Sequence, residues 1–239
     1  MTSRFIESLL AADRPLIMEI KRSDAHGGDL LAGRSIDEAV ARYEAAGAPC
    51  ISVVTGRWFG GDPSMLPQVA ALTDRPLLQK DFITRRAQLH AAKRDGASAV
   101  LLTAALLPRS SMHGLVVACL SLGLTPFVEV TREEEIDAVP HADRCVIAVN
   151  NKDIRERERG PGDIERSVRL LPALMRSGTR CPVSASGIDD PATAARLLGL
   201  GFRGLLIGTS LLRSDDLPGW LDDLDARRKR ERTPAGGGR

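Results

Sequence analysis

The sequence predicts an α/β fold, a (β/α)8 TIM barrel in one domain, with a short N-terminal helix ahead of the first strand. Three observations predict it. Short apolar runs rich in β-branched residues recur eight times. The segments between them carry apolar residues at spacings of three and four with helix start and stop signals, and a 239-residue chain with 43% hydrophobic content suits one large core. Eight strand–helix units favour closure, because closure removes the unpaired edges that an open doubly wound sheet, the alternative, would expose.

The elements follow in order. Arg4 to Ala12, with Phe5, Ile6, Leu9 and Leu10 apolar, reads as an amphipathic helix placed to cover one barrel end. The strand runs are Leu16 to Ile20, Cys50 to Val54, Leu77 to Lys80, Ala99 to Thr103, Thr125 to Val130, Cys145 to Val149, Pro182 to Ser186 and Gly204 to Ile207. Ser35 opens a helix at Ile36, Thr84 opens Arg85 to Asp95, and Asp190-Pro191 opens Ala192 to Leu198. Gly47, Gly96, Gly123 and Gly178 stand where helices stop, since glycine adopts the left-handed cap conformation without strain. The barrel is expected over 1–226. The basic, Gly-rich stretch 227–239 is expected to be a disordered tail, although Arg227-Arg228-Lys229-Arg230 within it has the look of a solvated helix end.

Composition narrows the function. The 33 basic and 31 acidic residues nearly cancel, so no global field argues for nucleic acid. Four cysteines, Cys50, Cys119, Cys145 and Cys181, stand far apart inside apolar runs and read as buried thiols. No apolar stretch approaches the ~20 residues that cross a bilayer, and Met1-Thr2-Ser3-Arg4 lacks a secretory apolar region, so a cytoplasmic protein with no membrane partner is expected. His90, His113 and His141 lie in or beside helical segments, and His26 alone supplies no metal site. Neither metal nor cofactor is expected, and the oligomeric expectation is a monomer or homodimer.

Barrel enzymes build their sites at the C-terminal strand ends, so polar residues closing an apolar run are candidates. Glu19 and Lys21 end the first run on the same side of the strand, Lys80 ends the third, and Glu129 stands near the end of the fifth. Two lysines and two carboxylates on one rim perturb one another's ionisation, as general acid and base work requires, although a structural ion-pair cluster would use the same residues. Asn150 extends the sixth run, with Asn151 shaping the turn. After the last two runs come Ser186-Gly187 and Gly208-Thr209, where glycine lets backbone N–H groups approach a phosphate. Phe59 and Phe82, in loops after the second and third runs, offer aromatic faces to a flat group.

These motifs, in this order, resemble the indole-3-glycerol-phosphate synthase family from about Phe5 to Leu212. The stretches that carry the likeness are Met18-Glu19-Ile20-Lys21-Arg22, Ile51-Ser52-Val53-Val54-Thr55, Phe59-Gly60-Gly61, Lys80-Asp81-Phe82-Ile83, Val128-Glu129-Val130, Val149-Asn150-Asn151-Lys152-Asp153, Ser186-Gly187-Ile188 and Leu206-Ile207-Gly208. The resemblance implies a carboxy-lyase of tryptophan biosynthesis that closes a ring with decarboxylation and dehydration of 1-(2-carboxyphenylamino)-1-deoxyribulose 5-phosphate. It implies Lys80 as the general acid on the substrate ketone, Lys21 as the lysine that orients substrate and assists dehydration, and Glu19 and Glu129 as catalytic glutamates. It also implies Asn150 holding the substrate, Ser186, Gly187, Gly208 and Thr209 around its phosphate, and Phe59 and Phe82 around its aromatic ring.

The chain departs from the family pattern near the ligand. Ala185 stands where the family's Ser-Glu-Ser-Gly-Ile has glutamate, Ser23-Asp24-Ala25-His26 replaces a Ser-Pro-Ser, and Gly56 replaces a common glutamate. Only 18 residues precede Glu19, so the covering region is expected to be reduced. Two alternatives follow: a paralogue performing a related cyclisation or aldol-type step on a different substrate in specialised metabolism, or a non-catalytic ligand-binding barrel.

Overall fold

The computed structural model describes residues 3–24, 26–57, 60–152, 160 and 162–232. Eight parallel strands close into a barrel in sequence order, with β1 paired to both β2 and β8. After helix α1 (Arg4–Leu10) come β1 (Leu16–Ile20), α2 (Ile36–Ala45), β2 (Cys50–Val54), α3 (Met65–Ala70), β3 (Leu77–Lys80), α4 (Arg86–Arg94), β4 (Ala99–Thr103) and α5 (Arg109–Ser121). Then follow β5 (Thr125–Val130), α6 (Glu133–Ile136), β6 (Val146–Asn150), α7 (Ile164–Arg176), β7 (Cys181–Ala185), α8 (Pro191–Leu200), β8 (Gly204–Ile207), α9 (Thr209–Arg213) and α10 (Leu217–Arg232).

Strand alternation splits the core in two. Ile17, Leu78, Leu101, Phe127, Val146, Val183 and Leu206 fill the interior, while Met18, Ile51, Val100, Val128, Ile147 and Leu205 face the helices. Because both faces are buried, the runs are continuously apolar rather than alternating. Helix α1 plugs the N-terminal end: Phe5, Ile6 and Leu9 join the interior cluster, and Phe5 meets Phe127 edge-on at 6.3 Å. Gly204 leaves room for the plug, since a Cβ there would sit 2.6 Å from the Leu9 side chain and force it to move. The plug leaves the opposite end, where the strands terminate in polar residues, as the open mouth.

Local signals act as the chain predicts except at α4, which starts at Arg86 with Arg85, not Thr84, in the N-cap position. Ser35 and Glu38 form a reciprocal capping box on α2, and Asp190 accepts from the Thr193 N–H at the start of α8. Gly47, Gly96, Gly123 and Gly178 all adopt positive φ. Six strands match their expected bounds, and β6 and β7 are each displaced by one residue. Cys145 is tied into the preceding turn by its N–H to Ala142, while Asn150 stays paired with Ala185, which shifts β6 forward. Ser186 turns to φ 67° and cannot extend β7.

The expected disordered tail requires correction over its first part, because α10 runs to Arg232. Leu217, Leu221 and Leu224 give it a buried stripe where it packs along α8, and Asp223 pairs with Arg227 one turn on. Residues 233–239 lie outside the described ones. No helix among the described residues is long and apolar enough to cross a membrane.

Candidate active site

The centre of the mouth is Glu19. Inward on β1 and 2% exposed, its carboxylate meets Lys80 Nζ at 3.1 Å and Lys21 Nζ at 3.3 Å, so one buried anion holds two ammonium groups. Burial opposes its ionisation, but the charges of Lys80 and Lys21 prevail and hold its pKa below the ordinary value. Tyr43 from α2 fixes the strand behind it by donating to the Glu19 carbonyl at 3.0 Å. Gly208 makes room in front, since a Cβ there would lie 2.6 Å from Glu19 Oε1.

Beside this trio the ends of β7 and β8 shape an anion-sized recess. Ser186 and Gly187 take consecutive left-handed conformations, φ 67° and 68°. Asn151 secures them: its Nδ2 donates to the Ser186 carbonyl and to Ser184 Oγ, both at 3.0 Å, while its Oδ1 accepts from Ser167 Oγ of α7 at 2.7 Å. Gly187 also packs against Gly162, where a Cβ would come within 2.8 Å of the facing Cα.

The resulting pocket, of about 230 Å³, is lined by seven of the eleven expected site residues: Glu19, Lys21, Lys80, Ser186, Gly187, Gly208 and Thr209. Glu129 and Asn150 are buried at the ends of β5 and β6 and do not form its wall. The Asn150 side-chain oxygen accepts from the Lys152 N–H at 2.9 Å, and its carbonyl accepts from Arg166 at 2.7 Å. Phe82 stands in the loop after β3, its N–H donated to Asp81 Oδ1 and its carbonyl accepting from Gln88, and also lies off the wall. Phe59 falls outside the described residues. Ala185, fully buried, sits between Asn150 and Leu206 in the strand register.

The pocket also contains Asp24, His26, Lys152, Asp189, Ser210 and Arg213. Reasoning from strand ends passed over Lys152 and Arg213. Lys152 follows directly on the β6 asparagines, so the same rule extended by two residues reaches it. Arg213 ends a helix, where a basic residue is ordinary, and carries no signal in the chain. Among the described residues no group of three or more His, Cys, Asp or Glu is placed to hold a metal ion.

The model of the family "Indole-3-glycerol phosphate synthase" matches residues 2–224. "Indole-3-glycerol phosphate synthase 1" of Streptomyces coelicolor is 36% identical over 212 residues, 88% of this chain and 77% of that protein. The indole-3-glycerol phosphate synthase of Caldanaerobacter subterraneus is 34% identical over 213 residues, 89% and 81% of the two chains. Among solved structures, 3-hexulose-6-phosphate synthase from Salmonella typhimurium superposes with a TM-score of 0.69 at 13% identity, covering 90% of this chain and 99% of that one, a likeness of fold alone. Matches that run through all eight strands, and so include every polar strand end at the mouth, mean that the chain belongs to the indole-3-glycerol phosphate synthase family.

Proposed function

We propose that this chain converts 1-(2-carboxyphenylamino)-1-deoxyribulose 5-phosphate into indole-3-glycerol phosphate, carbon dioxide and water. One juxtaposition supports the reading beyond family membership: Lys80 and Lys21 held on the buried Glu19 carboxylate, next to the backbone recess at Gly187 and Gly208. The recess takes the phosphate against the Ser186, Gly187, Gly208 and Thr209 segments. The rest of the substrate extends beyond this pocket toward the ends of β3, β5 and β6, where Phe82, Glu129 and Asn150 stand, Asn150 holding it without adding charge.

In ring closure the aromatic carbon bearing the carboxylate attacks the ketone carbon, and the ketone oxygen takes a proton from the Lys80 ammonium. The carboxylate leaves as carbon dioxide, and its electron pair restores the aromatic ring. The new hydroxyl then departs as water with a proton from Lys21, while Glu129 accepts a proton from the adjacent methylene carbon, whose electrons become the pyrrole double bond. Two protons are given and one is taken back, the difference being the solvent proton that decarboxylation of a carboxylate consumes. Glu19 holds both ammonium groups in position before each transfer.

The test is to incubate the purified protein with the carboxyphenylamino substrate and follow indole fluorescence. Product formation in proportion to protein is expected. Its absence, with the substrate bound and recovered unchanged, overturns the reaction.

A further inference from the structure

The β1–α2 loop puts a carboxylate, Asp24, into the pocket wall near the phosphate recess, where an unbalanced negative charge repels the ligand. Its surroundings show how that charge is handled. Oδ1 accepts from the backbone N–H groups of His26 at 2.8 Å and Gly28 at 2.9 Å, and Oδ2 faces the Arg213 guanidinium. Those contacts occupy both oxygens of a side chain that is only 14% exposed, whereas Arg213 is 59% exposed. Among the described residues the pairing engages a single nitrogen of Arg213, Nη2, out of a planar fork of five N–H donors.

Arg213 is also fixed to the recess by the chain itself. It ends α9, which starts at Thr209 directly after Gly208. Two further arginines join this segment to the neighbouring β1–α2 connection: Arg34 donates to the carbonyls of Leu30, Leu31 and Leu212, and Arg42 of α2 donates to the carbonyl of Ser214. The loop that carries Asp24 and the helix that carries Arg213 are thus tied together, and much of the entropy of ordering the guanidinium is lost before ligand arrives.

We propose that Arg213 is the side-chain cation that receives the substrate phosphate, and that Asp24 is the positioning residue that aims it; this rests on the reading of the pocket as a phosphate-sugar site. In this arrangement Asp24 spends its charge on Arg213 and on two backbone donors, and the remaining edge of the fork meets the phosphate with paired, charge-assisted hydrogen bonds. The loop that replaces the family's Ser-Pro-Ser therefore rebuilds the phosphate end instead of abolishing it.

The test measures inorganic phosphate binding by calorimetry, and substrate turnover, for the wild type, Arg213→Gln, Arg213→Lys, Asp24→Asn and the Asp24→Asn/Arg213→Gln double variant, each checked for an unshifted Tm. Arg213→Gln is expected to weaken phosphate about tenfold, as loss of a charge-assisted contact does, and to raise KM similarly with kcat moving by less than about twofold. Arg213→Lys recovers part of the loss, because it restores charge without the fork. Asp24→Asn weakens phosphate severalfold in the wild type and has no further effect in the Arg213→Gln background, since it acts through Arg213.

Unchanged phosphate binding in Arg213→Gln overturns the proposal. So does tighter binding in Asp24→Asn, which would make Asp24 a simple repellent, or an equal loss in both backgrounds, which would make it a loop-folding residue. The calorimetric arm needs no turnover. A wild type that binds phosphate through Arg213 yet forms no indole product therefore refutes only the reaction, and one that turns over with Arg213→Gln unaffected refutes only this inference. Absence of phosphate binding in the wild type overturns this inference, and together with absence of product it overturns both.

Discussion

At the scale of single residues, the site rests on one carboxylate serving two cations. Removing Lys80 leaves Glu19 paired with Lys21 alone, so Lys80→Met is expected to keep its fold while kcat falls by about 100-fold or more, the range for a lost general acid. The same variant has a thermodynamic readout. A carboxylate whose folded pKa is depressed stabilises the fold above its unfolded value, near 4.5 for Glu19, and that contribution is lost as pH falls through the folded value. Without Lys80 the folded pKa rises, so acid unfolding should begin at higher pH. An unchanged acid midpoint together with unchanged turnover would remove Lys80 from the role. Ala185 is the opposite case, a missing carboxylate in a buried position between Asn150 and Leu206. Ala185→Glu is expected to raise kcat/KM by adding a proton-transfer group to the rim while lowering Tm, because a buried carboxylate costs stability; a rate that stays flat would mean the pocket has no use for the group. Glu19, Lys21 and Lys80 were legible in the chain because each interrupts or ends an apolar run, where burying a charge needs a reason. The pairing of Asp24 with Arg213 was not, since 189 positions separate them and both residue types are ordinary in loops and helix ends.

At the scale of elements, the recess is held open by a polar network under β6 and β7. Asn151 reads in the chain as a turn residue, yet it is fully buried and joins β6, β7 and α7 through Ser184, Ser186 and Ser167. Asparagine is common in turns, so local sequence does not separate a turn former from a hub; the hub depends on β7 being the spatial neighbour, which the strand order and not the local sequence decides. Its consequence concerns Ser186, whose left-handed backbone is unfavourable for a residue with a Cβ and needs the carbonyl anchor that Asn151 provides. Asn151→Ala removes three side-chain hydrogen bonds, two of them buried, and is expected to cost about 3 kcal/mol, lowering Tm by about 6–12 °C. It should also raise KM for the phosphorylated substrate more than it lowers kcat, because the recess relaxes while the Lys80–Glu19–Lys21 trio at the ends of β1 and β3 is untouched. Thermal melts and initial rates below the transition check both parts, and a large loss of stability with KM intact would confine Asn151 to the fold.

At the scale of the whole molecule, the two barrel ends divide the labour. Closure was legible from eight runs in one chain, and the plug from Phe5, Ile6 and Leu9 at helical spacing. Which end the plug closes follows from chain direction: α1 leads straight into β1, so its apolar face reaches the N-terminal strand ends and leaves the C-terminal ends for chemistry. The plug is built by close fit, with Phe5 edge-on to Phe127 and Leu9 occupying the space that Gly204 leaves. A truncation there opens a cavity in a rigid interior that collapses only partly, so Phe5→Ala is expected to cost about 3–5 kcal/mol. Between that cavity and the mouth lie the layers of Leu78, Leu101, Val183 and Leu206, which are packed in their own right and pass on little of the disturbance. Phe5→Ala should therefore lower Tm by about 6–20 °C and leave kcat/KM within about twofold of the wild type at temperatures where both are folded. Denaturant unfolding and steady-state rates on the same preparation decide it. If kcat/KM falls in step with stability, the barrel is a single mechanical unit in which the plug holds the Glu19 trio in place; if only stability falls, the interior layers insulate the mouth, and the N-terminal end is free to vary without cost to the reaction.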